Sequence, residues 1–82
     1  MTEVTVYEKD KCTACTNTKR KLTDVGIPYV TADLMEPMNL AAAKALGHMS
    51  APVVVAGDDS WSGFRPDKID ELVKQLELQE EK

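Results

Sequence analysis

The sequence predicts a single α/β domain in which strands and helices follow the order β-α-β-α-β-β-α. Its length of 82 residues, with 43% hydrophobic and 29% charged residues, allows one domain around one core. Along the chain, the spacing of apolar residues changes between the period of two of a strand and the 3.6 of a helix. Glycine or proline stands at most of these changes, where either residue ends an element or begins a turn.

The first strand and the first helix occupy the N-terminal third of the chain. β-Branched and aromatic residues at 3–7 predict the strand, and a helical pattern follows over residues 13–25. Gly26 is placed to end this helix, because glycine readily adopts the left-handed conformation of a C-terminal cap. The face of the helix that is predicted to be buried consists of Cys15, Thr18, Leu22 and Val25.

A second strand and a second helix follow. Residues 28–32 predict the strand, and Pro37 suits the first turn of the helix, which is predicted to end at Gly47. The apolar face predicted for this helix consists of Met38, Ala41, Ala42, Ala45 and Leu46.

The last third of the chain predicts a hairpin and a third helix. Residues 52–56 form a continuous apolar run, which is typical of a buried central strand. Gly-Asp at 57–58 is a two-residue hairpin signal and predicts a return strand at 59–62. Pro66 begins the third helix, whose predicted buried face consists of Ile69, Leu72, Val73 and Leu76.

This order predicts a four-stranded mixed sheet flanked by three helices, which is the minimal thioredoxin or glutaredoxin fold. Helices separate the first three strands, so we expect parallel crossovers between them, whereas the last two strands form the hairpin. The predicted domain spans residues 1–78, and the charged residues 79–82 are predicted to be a frayed tail.

The charge and hydropathy of the chain exclude some classes of function. Ten basic and fourteen acidic side chains give a net charge of −4, whereas proteins that bind nucleic acid present basic surfaces. The basic run at 19–21 lies in the first helix and is expected to be a solvated face. The N-terminus resembles a strand more than a signal peptide, and no apolar run reaches the roughly 18 residues that span a bilayer. We therefore expect a cytoplasmic protein that binds neither nucleic acid nor membrane. Nothing in the sequence demands more than a monomer, so a monomer is expected.

Cys12 and Cys15 form a Cys-x-x-Cys pair at the junction of the first strand and the first helix. Permanent disulfides are rare in a reducing cytosol, so a close pair there indicates redox chemistry or metal binding. The free amides and the dipole of a helix N-terminus stabilise an anion, and cysteines in that position have pKa values of roughly 3.5–7.5. The sequence therefore predicts a nucleophilic thiolate at Cys12, with Lys9 and Lys11 either adding to this effect or remaining solvated.

Cys15 lies on the apolar face of the helix, so we expect it to be buried and to remain a thiol. This asymmetry predicts a two-step exchange in which Cys12 attacks a substrate disulfide and Cys15 then displaces the reduced substrate. Thr13, between them, either donates its hydroxyl to the Cys12 sulfur or caps the helix.

Metal binding is the main alternative for the cysteine pair. Structural zinc requires four ligands, and outside the pair only His48 is available. His48 follows a glycine at a predicted helix end, where we expect a structural or neutral role. A dimer that holds an iron–sulfur cluster with two thiolates from each chain is a second alternative, and a scaffold without redox activity is a third.

Pro52 begins the predicted central strand, although a proline cannot donate to a strand ladder. A cis bond between Ala51 and Pro52 explains this position, because it turns the chain so that backbone atoms of Ala51 face the cysteines. We therefore expect a cis bond here, although trans is the commoner state of bonds that precede proline.

Three segments together resemble the NrdH-redoxin family. They are Val-Tyr-x-x-x-x-Cys-x-x-Cys at 6–15, Ala-Pro-Val-Val-Val at 51–55 and Trp-Ser-Gly-Phe-Arg-Pro-Asp-Lys-Ile at 61–69. The resemblance covers nearly the whole chain, and its third segment is the most specific.

The resemblance implies a glutaredoxin-like fold that behaves like a thioredoxin and holds no bound cofactor. Electrons would come from NADPH through thioredoxin reductase and pass to the disulfide of class Ib ribonucleotide reductase. The resemblance also implies that Cys12 is the attacking thiol, that Cys15 is the resolving thiol, and that Ala51-Pro52 is a cis-proline platform for the substrate.

Two departures concern specificity and redox potential. Glutaredoxins proper usually carry Gly-Gly and an acidic residue that hold glutathione, whereas here Gly63 is followed by Phe64 and Arg65. The bulky aromatic is expected to crowd the tripeptide, so we expect weak use of glutathione. Thr13 and Ala14 also differ from the residues common between the two cysteines of the family, and such residues tune a reduction potential that lies around −270 to −200 mV in related redoxins.

The segment at 61–65 admits two interpretations. Trp61 and Phe64 either pack against the fold or dock the reductase, since aromatic residues often anchor interfaces. Arg65 either belongs to the same docking surface or braces the last helix.

Overall fold

The computed structural model describes the backbone of residues 3–80 and the side chains of residues 3–76. It confirms the predicted order of elements and the four-stranded mixed sheet. The elements are β1 (Val4–Glu8), α1 (Thr13–Asp24), β2 (Val30–Asp33), α2 (Pro37–Ala45), β3 (Val53–Ala56), β4 (Asp59–Ser62) and α3 (Pro66–Glu80).

Most element boundaries lie within one residue of the predicted ones, and two differ by more. β2 covers 30–33 instead of 28–32, since Pro28 has no N–H to donate to a strand ladder. α3 continues to Glu80, two residues into the predicted tail at 79–82, and the rest of that tail lies outside the described residues. None of the helices in the described part of the chain is both long and apolar enough to cross a membrane.

The four strands lie side by side in the order β2-β1-β3-β4. β1 and β2 are parallel, as predicted, and β3 and β4 form the predicted hairpin. β1 and β3 are antiparallel, with Tyr7 opposite Val53, so the expectation of a second parallel crossover is wrong. The connection through α2 returns the chain to the edge at which β2 ends, and β3 therefore starts where β1 and β2 finish.

The main core lies between one face of the sheet and helices α1 and α3. Its buried members are Val4, Val6, Leu22, Ile27, Val54, Ala56, Trp61, Ile69 and Leu72. The predicted faces of both helices are confirmed, because Cys15, Thr18 and Leu22 are buried on α1 and Ile69 and Leu72 are buried on α3. Each fully buried aliphatic side chain of this size contributes roughly 1.5–3 kcal/mol to folding.

The buried face of α2 is not the predicted one. Ala43 is buried and Leu40 partly buried, and both pack with Val53 on the other face of the sheet. The predicted face is directed to solvent, since Met38 is 84% exposed and Leu46 is 53% exposed. The exposed alanines of that face are Ala41, Ala42 and Ala45. α2 is apolar on almost every side, so the spacing of its apolar residues does not indicate which side meets the sheet.

Candidate active site

The parts of the predicted site meet at one edge of the sheet. Because β1 and β3 are antiparallel, the end of β1 lies beside the start of β3, with Tyr7 opposite Val53. β4 ends beside the same position, with Ser62 opposite Val53. The loop that carries Cys12, the start of β3 at Pro52 and the segment after β4 are therefore neighbours.

Cys12 is the N-cap of α1, and its sulfur is the capping atom. Its backbone is extended, with φ −113° and ψ 103°, and its Sγ accepts a hydrogen bond of 3.1 Å from the Cys15 backbone N–H. Lys11, immediately before it, has a φ of 56°, a left-handed conformation that costs a non-glycine residue roughly 1–2 kcal/mol. Thr13 is the first residue of the helix, so the interpretation that Thr13 caps α1 is wrong, since Cys12 occupies that position.

The two cysteines differ in exposure as predicted. Cys12 is partly exposed, whereas Cys15 is 2% exposed on the core-facing side of α1. Their sulfurs are joined in a disulfide, with the two Cα atoms 5.2 Å apart. Once this disulfide is reduced, the N–H that is directed at Cys12 Sγ and the helix dipole behind it stabilise negative charge on that sulfur. The arrangement thus presents one anionic sulfur to a partner and keeps the second sulfur beneath it.

A shallow cleft beside the cysteines contains an ion pair that the sequence analysis missed. Lys19 Nζ lies 2.6 Å from Glu8 Oε1, and the two side chains are 31% and 29% exposed. The hydrogen bond to Glu8 raises the pKa of Lys19 above its ordinary value of 10.5. Lys19 follows Cys15 by four residues, a spacing that places both residues on one side of the helix but does not indicate that Glu8 is the partner of Lys19. Lys9 and Lys11 line the same cleft and are exposed.

The start of β3 is tied to the segment after β4. The Ala51–Pro52 bond is cis, as predicted. Pro52 is buried, and its carbonyl accepts a hydrogen bond of 2.8 Å from the Gly63 N–H. Ala51 is partly exposed. This bond holds the segment after β4 against the start of β3.

Trp61 has a packing role. It is 3% exposed within the main core, and the Lys68 ammonium lies 5.8 Å from the centre of its ring. Its Nε1 is buried and has no hydrogen-bond partner among the described residues. The interpretation that the ring of Trp61 docks a partner is therefore wrong, because a ring buried to this extent offers almost no surface for contact.

Phe64 and Arg65 lie at the surface. Phe64 is 38% exposed, which leaves part of its ring available to a partner. Arg65 donates hydrogen bonds to Asp67 from Nε at 3.1 Å and from Nη2 at 2.9 Å, so it braces the first turn of α3. These bonds lower the pKa of Asp67 below its ordinary value of 3.8 and raise the pKa of Arg65.

His48 forms a hydrogen-bonded pair with a serine of the hairpin. Its Nε2 lies 2.9 Å from Ser60 Oγ on β4. Within the described residues, no group of three or more His, Cys, Asp or Glu side chains could hold a metal ion.

Comparison with known proteins gives concordant results. The glutaredoxin family model matches residues 4–61. The glutaredoxin-like protein NrdH of Escherichia coli (strain K12) is 41% identical over 71 residues, which cover 84% of this chain and 86% of that protein. NrdH of Lactococcus lactis subsp. cremoris (strain MG1363) is 33% identical over 70 residues, which cover 84% of this chain and 97% of that protein. The solved structure of E. coli NrdH-redoxin matches with a TM-score of 0.81 and 39% identity, over 85% of this chain and 93% of that chain.

Proposed function

Because the chain belongs to the glutaredoxin family, and within it to the NrdH glutaredoxin-like proteins, we propose that it carries electrons from thioredoxin reductase to class Ib ribonucleotide reductase. The protein is a thiol–disulfide oxidoreductase, and the proposal assigns its chemistry to Cys12 and Cys15. One observation carries this assignment: the Cys12 sulfur lies at the start of α1, 3.1 Å from the Cys15 N–H, and Cys15 is buried beneath it.

The proposed reaction has two steps. The Cys12 thiolate attacks one sulfur of the partner's disulfide, forms a bond to it and releases the other partner sulfur as a thiolate. Cys15 then loses its proton and attacks the Cys12 sulfur, which breaks the mixed disulfide and releases the partner in its dithiol form. Cys12 and Cys15 have supplied two electrons and end as a disulfide. Thioredoxin reductase returns two electrons from NADPH and restores both thiols.

The proposed contact surface for both partners surrounds the exposed side of Cys12. It consists of Thr13, Ala14, Ala51, Pro52 and Phe64, with Arg65 at its border. Pro52 is buried and is proposed to act through the shape it gives the backbone, whereas Phe64 offers an exposed aromatic surface.

The segment after β4 favours thioredoxin reductase over glutathione as the source of electrons. Glutaredoxins proper usually have a second glycine where Phe64 stands, and we expect the Phe64 ring, which is 38% exposed, to crowd the tripeptide. Gly63 is held by its hydrogen bond to Pro52, so this segment has little freedom to move aside. The relative from E. coli is described as a glutaredoxin-like protein with a thioredoxin-like activity profile.

The proposal extends to the setting in which the protein works. We expect it to act in the cytoplasm as a monomer, without a bound cofactor, and to meet NADPH only through the reductase. The net charge of −4 opposes binding to nucleic acid, which selects basic surfaces.

A coupled assay tests the proposal. NADPH, thioredoxin reductase and a class Ib ribonucleotide reductase should turn over when this protein is the sole intermediary. Cys12→Ser should abolish turnover, and Cys15→Ser should accumulate a mixed disulfide with the ribonucleotide reductase that a non-reducing gel detects. Thr23→Ser, at an exposed position near the other end of α1, is the matched control and should keep full turnover.

Two outcomes would contradict parts of the proposal. Faster reduction of the protein by glutathione than by thioredoxin reductase would overturn the assignment of the electron source. Turnover by Cys12→Ser would overturn the assignment of the attacking thiol.

A further inference from the structure

Thr18 is a buried polar residue that the proposed reaction does not use. Its side chain is 0% exposed and lies with Cys15 and Leu22 on the core-facing side of α1. Its Oγ1 is buried and has no hydrogen-bond partner among the described residues. A buried hydroxyl without a partner destabilises the fold, so its presence in the oxidised protein requires an explanation.

The position of Thr18 supplies a partner for this hydroxyl. Residues three apart on a helix are neighbours on one face, and helical side chains lean toward the preceding turn. The Thr18 side chain therefore lies over the turn that contains Cys15. In the oxidised protein the Cys15 sulfur is bonded to Cys12. Reduction breaks this bond and leaves the Cys15 side chain free to rotate about Cα–Cβ toward Thr18.

We infer that the Thr18 hydroxyl donates a hydrogen bond to Cys15 Sγ in the reduced protein and stabilises this sulfur as it becomes a thiolate. Hydrogen bonds to an anionic sulfur are stronger than those to a neutral one, so the bond strengthens as Cys15 attacks the mixed disulfide. Cys12 receives its hydrogen bond from the Cys15 N–H, so Thr18 has no part in the first attack. The inference rests on the proposed role of Cys15 as the resolving thiol.

Two effects of the hydroxyl act in the same direction on the dithiol–disulfide equilibrium. Thr18→Val keeps the β-branched shape and replaces the hydroxyl with a methyl group. It therefore removes the unpaired buried hydroxyl from the disulfide form and stabilises that form. In the dithiol form it removes a hydrogen bond. Both changes favour the disulfide, and the equilibrium with dithiothreitol should shift toward it by about tenfold, which is about 30 mV in a two-electron couple.

The two steps of exchange can be observed separately with dithiobis(nitrobenzoate) as the substrate disulfide. Attack by Cys12 releases one coloured nitrothiobenzoate and leaves the other bonded to Cys12. Attack by Cys15 on the Cys12 sulfur then releases the second and forms the protein disulfide, so two thiols are oxidised and one reagent disulfide is reduced. Thr18→Val should slow the second release by about tenfold and leave the first unchanged.

Thr18→Ser keeps the hydroxyl and should restore the second release to within about twofold of the wild-type rate, a difference too small to represent a lost hydrogen bond. Thr23→Val, at an exposed position on the same helix, is the control and should change neither release nor the equilibrium. Circular dichroism of each oxidised variant shows whether it is folded.

An unchanged second release in folded Thr18→Val, or equal slowing of both releases, would overturn the inference. Equal slowing would indicate a general disturbance of α1, and no change would indicate that the hydroxyl is bonded within the helix in both redox states. The test needs neither thioredoxin reductase nor ribonucleotide reductase, so a failure of the partner assignment leaves its result intact. If Cys15→Ser also gives both releases, the proposed roles of the cysteines fail instead.

Discussion

Replacing Leu22 and Leu46 separately with alanine tests which faces of the helices are buried, because apolar spacing predicts both leucines to be core residues. For an 82-residue domain, about 0.05–0.15 kcal/mol per residue corresponds to a free energy of unfolding of about 4–12 kcal/mol. Leu22 is 0% exposed in the main core, so Leu22→Ala leaves a cavity and should cost about 3–5 kcal/mol. Leu46 is 53% exposed. Its burial therefore contributes only about half of the roughly 1.5–3 kcal/mol that a fully buried leucine side chain contributes to folding. Leu46→Ala should therefore cost about 1 kcal/mol or less.

Urea unfolding of the oxidised proteins measures both costs, with circular dichroism and the fluorescence of the buried Trp61 as independent probes. The two variants should differ by at least about 2 kcal/mol, which in a domain of this size is about 8–16 °C in Tm. All variants must be fully oxidised, because reduction of the Cys12–Cys15 disulfide changes stability on its own. If Leu46→Ala proves as destabilising as Leu22→Ala, the helix α2 is rotated and the face of α2 expected from the sequence is the buried one.

Two further predictions concern the ion pairs. A double-mutant cycle of Glu8→Gln and Lys19→Met should give a coupling of about 0.5–1 kcal/mol, because the pair is only partly exposed. The hydrogen bond to Glu8 raises the folded-state pKa of Lys19 above 10.5. The coupling should therefore be present below pH 10.5 and disappear as the pH rises through the raised pKa. A coupling that persists in strong alkali would contradict the pairing. The pKa of Asp67 is lowered below 3.8 by Arg65, so Asp67→Asn should destabilise the protein at neutral pH, and its difference from wild type should vanish as the pH falls through the lowered value. Equal stability of Asp67→Asn and wild type at neutral pH would show that Arg65 does not hold this carboxylate in solution.

Much of the candidate site could be predicted because its signals are local. Cys12 and Cys15 are separated by less than one helical turn, so the residue types around them place one sulfur at the helix start and the other on its apolar face. The two-residue signal at 57–58 likewise predicts the hairpin, and β4 has the predicted bounds. The position of Pro52 at the start of a buried strand indicated the cis bond, because a proline has no N–H for the ladder.

Other features depend on residues that are distant in sequence, and their patterns were ambiguous. α2 is apolar on almost all sides, so burial of Ala43 in place of Leu46 was decided by the shape of the sheet face against which α2 packs. Tryptophan occurs both in cores and at interfaces, so the residue type of Trp61 did not distinguish the two roles. Only its enclosure between the sheet and α3 identifies it as a core residue. The pairing of Glu8 with Lys19 joins the end of β1 to the second turn of α1, and no short-range pattern predicts it.

The sequence by itself determined the order of elements, the chemistry of the cysteine pair and the faces of α1 and α3. These properties follow from backbone preferences and side-chain periodicity within a few residues, which act before the chain is compact. The tertiary structure alone decided the antiparallel direction of β3, the orientation of α2, the burial of Trp61 and the position of Thr18 without a partner. These depend on which surfaces fit together once the chain has folded, because packing energy is gained only between elements that are already in contact.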